Sequence, residues 1–300
     1  GVATGISMSA GIDHDLDSLV GIEILPGVLN ALSYFKEHNH DLMNNDNVTA
    51  VVDDGRVYLR GTDRTFDAIV SDLFVPWHAG TGNLYTVEHY QASAERLNPS
   101  GIYCQWLPLY QLSEREFGII AATMANAFSH VSVWRGDYSA KAPIIGLVGS
   151  NSPIVFDVDV MTPRVASLQD KMTPQDPLLR TANGFLLMYG GDLSTVQSWL
   201  DGFPINTDDR PIIEFESPKS QTRREMYKGM SLDKLYTRLG ESSSSGTAVQ
   251  VKAAGHDLLL PLSAQPGNLL FRAVAQGVEK DIVGQLLTIR EATQMLKGTD

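Results

Sequence analysis

Three acidic positions and one glycine-rich turn carry the chemistry available to this 300-residue chain. The turn is Gly1-Val2-Ala3-Thr4-Gly5. Glycines ahead of a helix let the backbone approach a ligand closely, and the helix start offers unused N–H groups. Glu23 follows roughly twenty residues on, the spacing expected of an acid that accepts hydrogen bonds from ribose hydroxyls. Asp53-Asp54-Gly55 ends the next apolar run. A carboxylate there can accept from an adenine amino group, although Asp-Asp-Gly is also ordinary turn chemistry. Asp54, beside the glycine, is the better placed of the two. Asp72 ends Phe66-Asp67-Ala68-Ile69-Val70-Ser71 and can act as a general base or hold an ammonium group. Asp67, nearer the start of that run, reads as structural. The following residues, with Pro76, Trp77, His78, Gly80 and Gly82, form a long loop suited to covering a substrate. His78 can touch substrate there, but a lone loop histidine is more often merely solvated.

These positions gain meaning from the elements that must carry them. Ser18–Leu25 reads as a buried strand ended by Pro26, Val28–Glu37 as a helix, and Val48–Val52 and Phe66–Ser71 as strands. Val87–Leu97 reads as a helix that stops at the turn cluster Asn98-Pro99-Ser100-Gly101. Ile102–Leu107 is a strand and Glu114–Phe128 a long helix. Val131–Arg135 and Pro143–Val148 are separated by little more than a turn and can pair antiparallel. Strands alternating with helices imply an α/β fold with a doubly wound, mostly parallel sheet. Glu23, Asp54 and Asp72 are then expected at one carboxyl edge of it. Residues 1–150 form the expected nucleoside-binding domain and 151–217 its closing segment, with a helix over Leu193–Leu200 and a strand over Ile212–Phe215. Residues 218–300 are expected to be a dispensable helical tail. Its amphipathic stretches are Leu269–Gln276 and Ile282–Leu296, and Ser242–Gly246 is linker-like by composition.

Composition bounds the partners. The formal net charge of -12 argues against sequence-independent nucleic-acid binding, which needs clustered Lys and Arg. It suits a cationic substrate, although many proteins are acidic for solubility alone. Hydrophobic residues make up 43%, enough for a sizeable core. The single cysteine, Cys104, allows no internal disulfide and no cysteine-based zinc site. No apolar run approaches the ~20 residues of a membrane-spanning helix, and no export signal is visible. A cytoplasmic location is expected. The chain opens directly on the glycine loop with no strand ahead of it. It is therefore expected to be a fragment whose parent carries the first strand and can hold a lid domain or a membrane anchor.

The ordered set of motifs resembles the spermidine synthase family. It comprises the glycine loop, Ile22-Glu23-Ile24, Asp53-Asp54-Gly55-Arg56, Phe66 to Asp72, Leu84-Tyr85-Thr86-Val87-Glu88-His89-Tyr90, Gly101-Ile102-Tyr103-Cys104-Gln105-Trp106 and Asn206-Thr207-Asp208-Asp209-Arg210-Pro211. The similarity covers about residues 1–217 and is greatest to bacterial members fused to membrane segments. It implies a seven-stranded, class I methyltransferase-like (Rossmann-like) sheet. It also implies aminopropyl transfer from decarboxylated S-adenosylmethionine to a polyamine, without a metal. Carried over by position, Gly1 and Gly5 cradle the nucleoside, Glu23 holds the ribose, and Asp54, with Asp53 beside it, holds the adenine. Asp72 takes the proton of the attacking amine, and Gln105, Tyr85 and His78 line the amine side. The partner is a small polyamine, with a homodimer among the assemblies allowed. Two positions depart from the pattern: Val75 stands where the family has a second aspartate, and Ala3 where the fused members usually have glycine. The same fold also accommodates a methyltransferase using S-adenosylmethionine itself, or a nucleoside-binding domain without catalysis.

Overall fold

The computed structural model describes residues 1–14, 16–168, 177–227, 230–241, 248–253, 256–257 and 265–297. The chain divides into two compact units, Gly1–Arg64 and Thr65–Asp300.

The first unit runs α1 (Ile6–Ser9), β1 (Leu19–Glu23), α2 (Pro26–Ala31), β2 (Val48–Val52) and α3 (Gly55–Gly61). β1 and β2 pair in parallel from Leu19↔Val48 to Glu23↔Val52. Pro26 sits at the start of α2, where its missing N–H costs nothing. The helix expected over Val28–Glu37 is shorter: α2 gives way to a 3-10 turn at Leu32–Phe35. Val2, Leu32 and Leu42 form the small core, with Met8, Ile12, Leu29 and Val48 against it.

The second unit contains β3 (Phe66–Ser71), α4 (Val87–Glu95), β4 (Leu97–Pro108), α5 (Glu114–Ala127), β5 (His130–Arg135), β6 (Ile144–Ser150), β7 (Ile154–Asp157) and α6 (Val158–Leu168). There follow α7 (Ala182–Leu186), β8 (Tyr189–Asp192), α8 (Gln197–Leu200), α9 (Ile212–Arg223), α10 (Met230–Glu241), β9 (Val249–Ala253), β10 (His256–Asp257), α11 (Gln265–Val278) and α12 (Ile282–Lys297). Its main sheet has the order β3-β4-β6-β5-β8. Only β3 and β4 are parallel in it; β4/β6, β5/β6 and β5/β8 run antiparallel. The short β5–β6 connection dictates the antiparallel β5/β6 pair, because a parallel return needs a crossover of a dozen or more residues. The α/β class is as expected, but the main sheet is mixed rather than mostly parallel; the other parallel pairs are β1/β2 and β7/β9. β4 begins earlier than expected and takes in Asn98-Pro99-Ser100-Gly101, which are absorbed by a register shift against β3 between Phe66 and Ala68.

Two stretches depart from their sequence patterns. Ile212–Phe215, expected as a strand, opens helix α9: Pro211 precedes it and Glu214 lies in its first turn, both favourable at a helix start. Residues 218–300 are also not merely an appendage. Leu232, Leu235, Tyr236 and Leu239 of α10 and Phe271 and Ala275 of α11 lie in the same core as Tyr103, Phe117, Leu147 and Val133. β9 extends a second sheet in parallel with β7. The serine-rich stretch Ser242–Gly246 lies outside the described residues.

Arg135 of β5 ties this tail in place. Its side chain is buried, donates to the Tyr189 carbonyl (2.6 Å) and to Asn268 of α11, and stacks 4.2 Å over the Tyr236 ring. Burial pushes the guanidinium pKa down from its ordinary value. These carbonyls and the ring face offset the loss of water around the cation.

Phe271→Ala is therefore expected to cost about 3–5 kcal/mol, as for any core aromatic. Urea unfolding followed by near-ultraviolet circular dichroism measures this, and a change below ~1 kcal/mol would place the tail outside the core.

Candidate functional site

In the first unit, strand geometry brings the glycine loop to Glu23. Residues two apart in a strand share a face, so Gly21 and Glu23 of β1 point the same way, and both are buried. A Cβ on Gly21 would lie 2.5 Å from the Met8 sulfur and 2.8 Å from Val2. Only glycine lets the loop and α1 lie this close to the strand. Gly5 turns the chain into α1 at φ 77°, the left-handed region that glycine tolerates, and a Cβ there would strike Leu42 at 2.5 Å. Ala3 adopts φ 49° without that freedom.

The Glu23 carboxylate receives the backbone of this loop. Its Oε2 accepts from the N–H groups of Val2 (2.9 Å) and Ala3 (3.4 Å), and Oε1 accepts from Leu25 N–H (3.1 Å). Burial by itself raises the carboxyl pKa. The amides of Leu25, Val2 and Ala3 outweigh it, so the net pKa lies below the ordinary 4.5. A carboxylate offers about four acceptor positions. Three are used here, leaving Oε1 able to take one further donor.

Asp53 and Asp54 follow β2, beside Glu23 at the carboxyl edge of the pair; the Asp53 N–H donates to the Glu23 carbonyl at 3.1 Å. Asp54 caps α3, its Oδ1 accepting from Arg56 (2.8 Å) and Val57 (3.2 Å). Asp53 Oδ1 accepts from the Asp54 N–H at 2.8 Å. The cap itself contributes about 1 kcal/mol, so the turn reading and the ligand reading fall on the same aspartate.

In the second unit, Asp72 directly follows β3 and is partly buried. Its Oδ1 accepts from the Leu73 N–H at 2.7 Å. Among the described residues Oδ2 accepts no hydrogen bond, so one oxygen orients the carboxylate and the other keeps its acceptor positions. Cys104 of β4 lies near: burial first, then the Asp72 charge, push its thiol up to about 12, and it remains protonated.

Gln105 and Tyr85, expected at the substrate, are interior residues instead. Both are wholly buried. Gln105 shares its strand face with Tyr103. Its carboxamide accepts from the Tyr103 hydroxyl (3.1 Å) and donates to the Trp106 carbonyl (3.2 Å). Tyr103 also meets Ser71 and, at 3.4 Å, the His89 ring. The pleat that takes Tyr103 and Gln105 into the core sends Cys104 to the other face, toward Asp72. Tyr85 ends a 3-10 turn and packs inward, where burial drives its pKa well above the ordinary tyrosine value. His78 is exposed, in a turn closed by its own N–H to the Val75 carbonyl (3.1 Å).

The organising role of Asn206 was not legible from sequence. Wholly buried, its carboxamide donates to the carbonyls of Gly82 (3.2 Å) and Tyr85 (3.0 Å) and accepts from Ile213 N–H (3.2 Å). The Thr86 hydroxyl donates to Asp208 (2.7 Å), whose own N–H donates to Glu88 (2.9 Å). Asn206-Thr207-Asp208 thus fixes the segment leading from the loop after Asp72 into α4. The Asn-Thr-Asp-Asp-Arg-Pro motif marked the place, but its partners in the loop and α4 (Gly82, Tyr85, Thr86 and Glu88) lie more than a hundred residues away.

An α/β protein with acids at the carboxyl ends of its parallel strands belongs to the architectural class that binds ligands there. More particularly, residues 14–134 match the spermine/spermidine synthase domain, and that segment is the one that carries Glu23, Asp54 and Asp72. The polyamine aminopropyltransferase of Shigella boydii is 31% identical over 130 residues, covering 43% of this chain and 43% of that protein. Polyamine aminopropyltransferase 2 of Hyperthermus butylicus is 32% identical over 102 residues, covering 34% and 33%. The chain therefore spans less than half the length of these two relatives. The solved spermidine synthase of Thermotoga maritima aligns with a TM-score of 0.41 at 17% identity over 51% of each chain. Among the described residues no helix is long and apolar enough to cross a membrane.

Glu23→Gln sets an NH₂ group against backbone donors and should loosen the glycine loop. Because the folded pKa is depressed, the stabilisation by Glu23 is present above about pH 4.5 and is lost as pH falls through the folded value. The melting-temperature difference between wild type and Glu23→Gln, followed from pH 7 downward, should accordingly shrink in acid. A difference independent of pH would mean that the carboxylate does not hold the loop.

Proposed function

We propose that this chain carries the nucleoside-binding and proton-accepting parts of an aminopropyltransferase. The co-substrate is decarboxylated S-adenosylmethionine and the acceptor a small polyamine. The observation that carries this reading is the state of Asp72. It stands at the end of a parallel strand, one oxygen pinned by the Leu73 N–H and the other without a hydrogen bond among the described residues. The match of residues 14–134 to the spermine/spermidine synthase domain supports it.

Glu23 presents its remaining Oε1 acceptor position to one ribose hydroxyl, a narrower role than a grip with both oxygens. Asp54 and Asp53 receive the adenine amino group at the end of β2. Gly1 and Gly5 let the loop backbone lie against the nucleoside. An ammonium group is no nucleophile, so Asp72 must first attract it and then accept its proton. The freed amine attacks the carbon beside the sulfonium. A C–N bond forms, the C–S bond breaks, and sulfur keeps the electron pair as methylthioadenosine leaves. The step needs alignment more than covalent help. His78, exposed on the loop after Asp72, lies on the amine side of this reading, whereas Gln105 and Tyr85 support it from the interior.

Asp72→Asn keeps the shape but removes both the charge and the proton acceptor. Turnover of putrescine or spermidine, read as methylthioadenosine release, should fall about 100- to 10,000-fold. Methylthioadenosine affinity, measured by calorimetric titration, should stay near the wild-type value. Equal turnover by wild type and a folded Asp72→Asn protein would remove Asp72 from the chemistry. A preference for S-adenosylmethionine over its decarboxylated form would favour methyl transfer instead.

A further inference from the structure

The loop that follows Asp72 is held by a side chain from far along the chain. Glu214, in the first turn of α9, accepts from Gly80 N–H through Oε1 (2.7 Å) and from Gly82 N–H through Oε2 (3.0 Å). Each oxygen takes one amide, so the carboxylate grips the loop at two points across 134 and 132 residues of sequence. Gly82 lies so close that a Cβ would meet the Glu214 backbone N at 2.7 Å and its Cα at 2.9 Å. Asn206 grips the same turn from the other side through the Gly82 and Tyr85 carbonyls. The loop is thus fixed at its N–H groups by a charge and at its carbonyls by an amide. Its remaining length, from Leu73 through His78, runs between Asp72 and this anchor.

We propose that Glu214 is a positioning residue for the amine side of the site: it fixes the far end of the loop whose near end carries Asp72. This assignment rests on the function proposed above for its catalytic meaning, but its structural content is independent. Nothing in the chemistry requires Glu214 to meet substrate. Its partly buried carboxylate is engaged by backbone donors, as a latch must be, and charge-assisted bonds to backbone amides are stronger than neutral ones. Loss of the latch leaves Asp72 in place but lets the loop sample other conformations. The amine then meets a less ordered surface while the nucleoside groups of the first unit are unchanged.

Glu214→Gln tests this with little change of shape. The amide retains one acceptor and turns a donor toward the other N–H. Hydrogen exchange at Gly80 and Gly82 should accelerate about tenfold or more, the loss of roughly one charge-assisted bond. Exchange within α4 and α5 should not change. Turnover should show a raised KM for the amine, with kcat and methylthioadenosine affinity much less affected. Gly82→Ala, whose Cβ would meet both the Glu214 backbone N (2.7 Å) and its Oε2 (2.8 Å) and so push the loop off α9, should raise the same KM. Unchanged exchange at Gly80 and Gly82 in Glu214→Gln overturns the latch. Accelerated exchange with an unchanged amine KM overturns its positioning role. If the wild type transfers no aminopropyl group, the proposed function fails, while the exchange experiment still decides on the latch; loss of exchange protection throughout the unit in both variants would make Glu214 a general stability residue and overturn the proposal.

Discussion

A buried carboxylate must find donors to replace water, and in the first unit that requirement sets the loop, the strand and the edge together. Glu23 has them only because Gly21, two residues earlier on the same strand face, leaves room for Val2 and Met8 to come down onto β1. The amides of Val2 and Ala3 then point at the acid, with Leu25 closing from the other side. Remove the side-chain-free strand position and the loop is held away; remove the acid and the loop amides face an apolar core of Val2, Leu32 and Leu42. The same contacts hold the carboxyl in its ionised form, the form able to accept from a hydroxyl. The interaction that shapes the loop therefore also sets the charge state that ligand binding would use.

The second unit answers a similar demand with longer connections. Arg135 is a buried cation that meets carbonyls, a carboxamide and an aromatic face. Two of these, Asn268 and Tyr236, belong to helices near the end of the chain. Their contribution explains why α10 and α11 share the core of the central sheet. Asn206 and Glu214 do for the loop after Asp72 what Arg135 does for the tail. In each case one polar side chain meets groups that lie far away in sequence.

This division explains what was legible in the sequence. β2, β3, α4, α5 and the β5/β6 pair follow from local periodicity and turn residues, as do the positions of Glu23, Asp54 and Asp72 at strand ends. Gln105 and Tyr85 were placed at the substrate by motif alone. Their burial depends on strand pleat and on packing against Phe128, Phe117 and neighbours, which no local pattern reports. Ile212–Phe215 has strand-like composition, but Pro211 and Glu214 start a helix there, and the Asn206 side chain, seven residues earlier, accepts from the Ile213 N–H. The amphipathic tail was visible as helices. The partner of its apolar face was not, because that face meets residues distant in sequence, such as Phe117 and Leu147, which no local pattern names.

Val75 gives the acidic side of the site its particular character. Where two aspartates share the work, one can hold an ammonium group while the other accepts a proton. On the function proposed above, Asp72 alone does both, and one of its oxygens is already committed to Leu73. A single oxygen can attract the cation and then receive the proton only if the amine arrives along one direction. Direction must then come from the loop rather than from a second charge. The 73–83 loop follows Asp72 and is pinned at Gly80 and Gly82 by Glu214, so on the proposed function a carboxylate elsewhere in the fold constrains the geometry that a second aspartate would otherwise supply.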